Sequence, residues 1–592
     1  MPAAIGQASS PIESEGLNRT PLERFFELAR ATRPALSYLI SYTLLSGLLS
    51  LAVPITSQIL VNYIAAGTFL QPLIVLALLL LFILALDGLI KLMELLLIER
   101  VRQYTFVRTA LKLGERIPHI KDDVLAVEYS PELVNRFFAI PIVQRTWATL
   151  LLDVPPAILQ IFVGLILMAL YSPILLFFGI IVVASVIFIM LVLGRRGVST
   201  QMEEAKKLHA VAVWLEELLR CQTSFKLSGF PLLCVAKTDQ LIVDYLNARR
   251  THYGVVVRQT TASYFFRAAA SAAILGAGGW LVINRQLTLG QLVASEIVVI
   301  NVLSAIDQLV GSLDSFYDLL GALHRSERLV HLPIEKQTGE AFAEKEGGVE
   351  IRLKQVGFSY KPGKSILTSL SMEISPGERI AIVGKSGSGK TTLVSLIAGL
   401  FTPTDGTILV NGTDLQGLDL TSYRTHLGLA LSDNEIFEGT LRENITLGRT
   451  LKNEADLTWA LQLTGLDLDL KENFPDQLMT LVPSGGRNLS RGQIQKSLIA
   501  RAIVDRPQIL IIDDAHLGMD EATRLTMVER LNDRKNQWTL IYVSHDQETI
   551  KRCDLVFVLE DGMIRESGAP SELFKNEKSK LSQLFANTGR RN

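Results

Sequence analysis

Six apolar runs, at residues 36–62, 70–97, 148–170, 173–194, 262–283 and 291–323, constrain this chain more than any other feature. Each meets or exceeds the ~20 residues that an α-helix needs to cross the hydrocarbon of a bilayer. The stretch from Leu73 to Leu86 is apolar all round, so as a helix it has no polar side to turn toward water. The expectation is six membrane-spanning helices.

The rest of the chain is of another kind. Across all 592 residues, 48% are hydrophobic, yet 20% are charged, an average that combines an apolar part with an ordinary soluble one. The division expected is a polar segment 1–35, an all-α transmembrane domain 36–325, a charged linker 326–348 and a soluble α/β domain 349–592. In that last part, period-2 strands and Gly turns alternate with helical patterns. A net charge of −1 offers no basic excess for a nucleic-acid partner. Three cysteines without a C-x-x-C pair suggest neither a disulfide framework nor a zinc knuckle, and fit a reducing compartment. Residues 1–35 carry Arg19, Arg24, Arg30 and Arg33 without a short apolar core, so the first span itself is expected to direct insertion.

Orientation follows from the basic residues. Arg100, Arg102, Arg108, Lys112 and Arg116 lie between runs two and three, and Arg195, Arg196, Lys206, Lys207, Arg249 and Arg250 between runs four and five. The short turns near Gly67, Ser172 and Gln286 have only Arg285, so the positive-inside rule puts both chain ends in the cytoplasm. The two long loops read as helices continuing past the membrane, with breaks around Tyr129 to Asn135 and Gly229 to Leu233 as candidate contact points for a second domain. Asp87 and Lys91, four residues apart, are expected to form an ion pair on the helix surface. On run six, Glu296, Asn301, Ser304, Asp307 and Gln308 fall within one arc of roughly 140° and suggest a polar stripe, facing either a water-filled cavity or hydrogen-bonding partners on other helices.

The soluble part contains Gly384-Lys385-Ser386-Gly387-Ser388-Gly389-Lys390-Thr391, a complete G-x-x-x-x-G-K-T phosphate loop. It follows an apolar strand, Ile380 to Val383, and precedes a helix beginning near Thr392, the context in which backbone amides cradle phosphates. Lys390 is expected to contact the β- and γ-phosphates and Thr391 to ligate Mg²⁺. A second apolar strand, Ile509 to Ile512, ends in Asp513 and Asp514. Asp513 suits the Mg²⁺ carboxylate, and Asp514 is placed to orient or deprotonate an attacking water. These residues alone indicate a membrane-attached nucleoside triphosphatase.

Between those motifs stands Leu489-Ser490-Arg491-Gly492-Gln493, which resembles the L-S-G-G-Q signature of ATP-binding-cassette proteins. With the six apolar runs before it, the resemblance covers nearly the whole chain and points to the exporters that fuse a membrane and a nucleotide-binding domain. It implies ATP and Mg²⁺ as cofactors, Tyr360 as the aromatic that stacks on adenine, Asp520 as the D-loop aspartate and His545 as the switch histidine at the γ-phosphate. It further implies a dimer of half-transporters in the bilayer, each ATP lying between one chain's phosphate loop and the other chain's Ser490, Arg491, Gly492 and Gln493. The location implied is a bacterial inner membrane with the nucleotide domain in the cytoplasm.

The sequence departs from the family at four positions. Asp514 stands for the usual glutamate, Ser432 for the lid-segment glutamine, Arg491 for the first glycine of the signature, and Ser484 for an acidic residue before it. A carboxylate displaced by more than an ångström can cost about 100-fold in rate. Three readings stay open: a slow homodimeric exporter, one member of a heterodimer whose partner supplies a fast site, and a regulatory module that binds ATP with little hydrolysis. For cargo, Val53 to Gln58 and Gln71 to Leu73 resemble exporters of peptides or proteins, some of which work with a periplasmic adaptor and an outer-membrane channel; lipid or drug export is the alternative. The first cysteine is Cys221, so a cysteine protease ahead of the membrane domain is not expected.

Overall fold

The computed structural model describes residues 23, 25–26, 29–30, 32–66, 70–125, 136–229, 232–330, 332–336, 338–344, 347–361, 363–431, 436–451, 453–514 and 518–586. The chain forms two compact units, Met1–Pro118 with Glu128–Leu332, and His119–Val127 with Pro333–Asn592. Gly67, the Tyr129 to Asn135 break and Ser432 lie outside the described residues.

The first unit is helical. Its main helices are α1 (Arg33–Leu49), α2 (Ala52–Ala65), α3 (Leu70–Arg116), α4 (Ala139–Tyr171), α5 (Pro173–Phe188), α6 (Gly197–Arg220), α7 (Leu232–Ile283) and α8 (Leu289–Val330). The break between α1 and α2 sits at Ser50 and Leu51, next to Pro54, whose missing N–H leaves a gap in the helical ladder. Among the described residues five helical stretches are long and apolar enough to cross a membrane: Arg33–Ala65, which joins α1 and α2, Gln71–His119, Ala139–Tyr171, Leu232–Ile283 and Leu289–Leu323. The fourth of the six apolar runs differs. It forms a 16-residue helix, α5, that passes into a π-helical turn at Ile189–Leu193, and it is not among those five. The run is rich in β-branched Ile and Val, which crowd the preceding turn of an α-helix.

Packing in this unit depends on small residues. Helix α8 lies along α4, and a Cβ on Gly164 would come within 2.5 Å of Val302 Cγ2, so glycine is what permits that approach. Ala294, Val298, Val302 and Ile306 form the buried side of α8, whereas Glu296, Ser304 and Gln308 are exposed. The expected Asp87–Lys91 pair is present at 2.6 Å, and Asp87 also accepts from Ser46 Oγ at 2.5 Å. One turn-pair further, Thr43 Oγ1 donates to buried Glu94 at 3.0 Å. The polar stripe of α8 divides in two. Asp307 is tied to α7, accepting from Ser263 Oγ at 2.8 Å and pairing with Arg267 at 2.6 Å, and Gln308 Nε2 donates to Asp153 of α4 at 3.0 Å. Hydrogen bonds between helices therefore account for Asp307 and Gln308, and Glu296 and Ser304 remain on the exposed face.

The second unit is built on a six-stranded sheet of β3 (Arg379–Gly384), β5 (Leu427–Leu431), β6 (Ile509–Asp513), β7 (Thr539–Val543), β8 (Leu555–Glu560) and β9 (Met563–Gly568), in the order β9-β8-β3-β7-β6-β5. All neighbours are parallel except the β8–β9 edge pair. Along β3, Ile380 and Ile382 enter one hydrophobic cluster and Ala381 and Val383 the other, which is why the strand reads as a continuous apolar run. A smaller antiparallel sheet contains β1 (Ile351–Phe358), β2 (Leu367–Ile374) and β4 (Asp405–Val410), with β1 between the other two.

Candidate nucleotide site

The central strands deliver the chemistry at their C-terminal ends. Val543 of β7 pairs with Asp513 of β6 on one side and with Ile382 of β3 on the other. The phosphate loop, Asp513, Asp514 and His545 therefore emerge side by side, at the edge where open parallel sheets bind ligands.

Gly384 to Gly389 turn the chain from β3 into helix α9 (Lys390–Ile397). Gly389 sits at φ 102° as the residue before the helix, a conformation that side chains disfavour and that aims the first helical amides into the loop. Lys390 is buried, and its ammonium donates to the carbonyls of Gly384 at 2.9 Å and Lys385 at 3.1 Å. Burial pushes its pKa below the ordinary lysine value, and the carboxylates of Asp514 and Asp513 oppose that shift. Thr391 Oγ1 donates to Asp513 Oδ2 at 2.8 Å. A cavity of about 360 Å³ is lined by Ser386, Gly387, Lys390, Thr391, Asp514 and His545, among others.

Two observations test whether these residues fit a nucleotide and its metal. Ser388 Oγ is buried without a hydrogen-bond partner among the described residues, beside amides arranged for an anion. The Thr391 hydroxyl and the Asp513 carboxylate present two hard oxygens together, a donor set suited to Mg²⁺ that takes its other ligands from phosphate and water. Among the described residues no group of three or more His, Cys, Asp and Glu could hold a metal.

Tyr360 also reaches this cavity, half-exposed, with its hydroxyl 3.1 Å from Thr392 Oγ1. Phe358 and Phe401 hold its ring edge-on at 4.9 and 5.4 Å. Asp514 lies at φ 46°, its amide donating to Val543 O at 3.0 Å, which holds its backbone at the strand end. Other expected residues lie elsewhere. Ser490 caps helix α10 (Arg491–Ile503) in a reciprocal box with Gln493, and neither these two nor Arg491 and Gly492 line the cavity. Asp520 likewise caps helix α11 (Glu521–Asn532) through Thr523 N at 2.9 Å and is absent from the cavity wall. Ile366 and Phe401 were not anticipated: one lines the cavity and the other supports Tyr360, and neither belongs to a spaced motif.

Family profiles decide what kind of protein has this arrangement. The profile for the ABC transporter transmembrane region matches residues 36–305, and that for the ABC transporter matches residues 367–516. Together they cover well over half of the chain. The chain belongs to the ABC transporters. Its membrane and ATP-binding domains are fused on one polypeptide, so this ABC transporter is an integral membrane protein that binds ATP.

Relatives of this ABC transporter include the leukotoxin translocation ATP-binding protein LktB of a Pasteurella haemolytica-like species, 32% identical over 52% of the chain and 43% of LktB. The uncharacterized ABC transporter ATP-binding protein YwjA of Bacillus subtilis is 29% identical over 55% of the chain and 56% of YwjA. The chain thus spans about half the length of the curated relatives it matches. A bacterial Atm1-family ABC exporter solved with ATP bound shares the fold, with TM-score 0.84 and 22% identity over 94% of this chain and 98% of that one.

Proposed function

We propose that this chain is one half of an ATP-driven exporter: a translocase that works as a dimer, with domains 36–325 and 349–592 joined by the linker 326–348. The observation that carries the reading is the composition of the cavity. It holds the phosphate loop, Asp513, Asp514 and His545, while Ser490 to Gln493 lie elsewhere on the same unit. An ATP held here would be closed only by the signature segment of a second copy or of a related partner. ATP then favours the closed pair by binding it better than the open one, and closure turns the membrane cavity outward.

In this reading Ser386, Gly387, Ser388 and Lys390 hold the phosphates and Tyr360 stacks on adenine. Thr391 and Asp513 hold Mg²⁺, which would neutralise the β- and γ-phosphate oxygens. Asp514 orients the attacking water, and His545 meets the γ-phosphate. Ser432 replaces a glutamine that would have joined them. The location that fits is the bacterial inner membrane, with the nucleotide domain in the cytoplasm. Because LktB is named for leukotoxin translocation, the cargo we favour is a protein or peptide, passed on through an adaptor and an outer-membrane channel. A second reading is favoured by Asp514, Ser432 and Arg491: a degenerate half that binds ATP with little hydrolysis beside an active partner.

The test is steady-state phosphate release from lipid-reconstituted protein, with the mass of the complex measured in parallel. Lys390→Ala should abolish release and leave the protein inserted in the membrane. Unchanged release would overturn the phosphate-loop assignment, and a monomeric mass would overturn the dimer.

A further inference from the structure

The chain passes between its two units at three places: after Pro118, after Val127 and after Leu332. Two of these crossings are pinned to each other. Ile120 and Ile334 form an antiparallel bridge within the second unit, where Lys121 N donates to Pro333 O at 3.1 Å and Glu335 N to His119 O at 2.8 Å. One crossing follows the end of α3 and the other the end of α8, and within the first unit Arg116 at the end of α3 donates to Leu332 O at 2.8 Å. The C-terminal ends of two long helices are thus led into one backbone junction.

The next residue binds that junction to the far end of the helix that follows the phosphate loop. The Glu335 carboxylate, largely buried, takes a two-pronged contact from Arg424, with Nη1 and Nη2 at 2.6 and 2.7 Å. Nη2 of Arg424 also donates to Gly399 O at 2.7 Å, just beyond the C-terminus of phosphate-loop helix α9. Its neighbour Tyr423, fully buried, donates to Ile397 O in the last turn of α9 at 2.8 Å. A guanidinium there satisfies carbonyls that the helix end leaves open and suits the negative end of its dipole. Side-chain packing does not replace this contact, because a cavity of about 210 Å³ opens beside it between Lys121, Asp123, Lys336, Phe401 and Leu418. Asp122, on the same short segment, has its pKa raised by burial and then by the Glu335 carboxylate.

We propose that the Arg424–Glu335 pair is a positioning joint, through which movement of the phosphate-loop helix reaches this chain's own α3 and α8. Loss of the pair would separate nucleotide binding from movement of the membrane helices. The inference rests on the export cycle proposed above. An isolated Arg–carboxylate contact on a surface would add little, whereas a two-pronged, largely buried one fixes geometry.

The test uses full-length protein in lipid nanodiscs, with its three cysteines replaced and a reporter at Ser304→Cys on the exposed face of α8. Maleimide labelling is timed without nucleotide and with Mg-ATP plus vanadate. The parent should change its labelling rate by about 5-fold, while Glu335→Gln, Arg424→Gln and the double variant should change by under about 1.5-fold, the double being no worse than either single. Binding of a fluorescent ATP analogue should stay within about 2-fold of the parent in each, and Lys336→Gln should respond like the parent. Should Glu335→Gln fail to insert, Glu335→Asp supplies the comparison, since it keeps the charge and loses the reach. A parent-like response in the single variants, additive losses, or an equal loss of nucleotide binding overturns the joint. A parent without any nucleotide response overturns the export cycle, and the joint with it.

Discussion

Asp514, one methylene shorter than the family's glutamate, is the residue at which the proposed slow enzyme and the proposed ATP-binding module with little hydrolysis can be told apart. If Asp514 is a short-armed base, Asp514→Glu should bring the carboxylate to the water and raise basal phosphate release by about 10-fold, equal to about 1.4 kcal/mol of barrier. In a homodimer Asp514→Asn should remove most of the remaining release and leave ATP binding intact. Equal rates with Asp, Asn and Glu at 514 would show that the residue is no base. The cysteines provide a second expectation at this scale. Cys553 is buried, and burial pushes its thiol up to about 12, so at about pH 8 it should resist maleimide while half-buried Cys221 and Cys234 react. Mass spectrometry of the labelled native protein should count two adducts, and three would contradict the packing around Cys553.

Helix α10 illustrates an element whose sequence motif has two readings. Ser490 and Gln493 form a reciprocal N-terminal cap, sufficient reason for both residues without any ligand. Ser490→Ala should cost about 1 kcal/mol of stability for the loss of that cap. Ser490→Asp preserves a cap and adds a negative charge. If the segment meets the phosphates of an ATP held by a second copy, Ser490→Asp should melt like the parent yet lose most of its hydrolysis. Retained hydrolysis would leave only the capping role. On α8, Asp307 is tied to Arg267 and Ser263, so Asp307→Ala should lower the melting temperature in lipid more than Glu296→Ala. Replacing Arg267 and Asp307 together by leucine should recover part of that loss, because breaking one side of an ion pair strands the other charge. Equal melting of the two single variants would make the pair incidental.

For the whole molecule the orientation is the property most open to direct measurement. Cysteine introduced at Gln286, in the short turn between α7 and α8, should be labelled from outside intact cells, and cysteine at Asp239, early in α7, should not. The reverse pattern would invert the membrane topology. The two-unit architecture was legible in advance because each half carries a signal that is continuous along the chain. Long apolar helices and a phosphate loop between a strand and a helix are both local patterns, and they emerged where expected. The fourth apolar run was the exception among the spans, since hydropathy alone does not register the π-helical turn that ends its regular helix at Phe188.

By itself the sequence determined that an apolar helical unit precedes an α/β unit with a phosphate loop, and that Thr391 and Asp513 belong to one site. Backbone hydrogen bonding and hydrophobic burial act over short windows, so their periodicities survive in one dimension. Only the tertiary structure decided that β7 stands between β3 and β6, which brings His545 beside the phosphate loop. It likewise placed Ile366 at the nucleotide cavity and Phe401 behind Tyr360, paired Arg267 with Asp307, and joined Glu335 to Arg424. Each of these contacts joins residues far apart in the chain, and a side chain's reach across a packed core leaves no mark on the spacing of its neighbours in sequence.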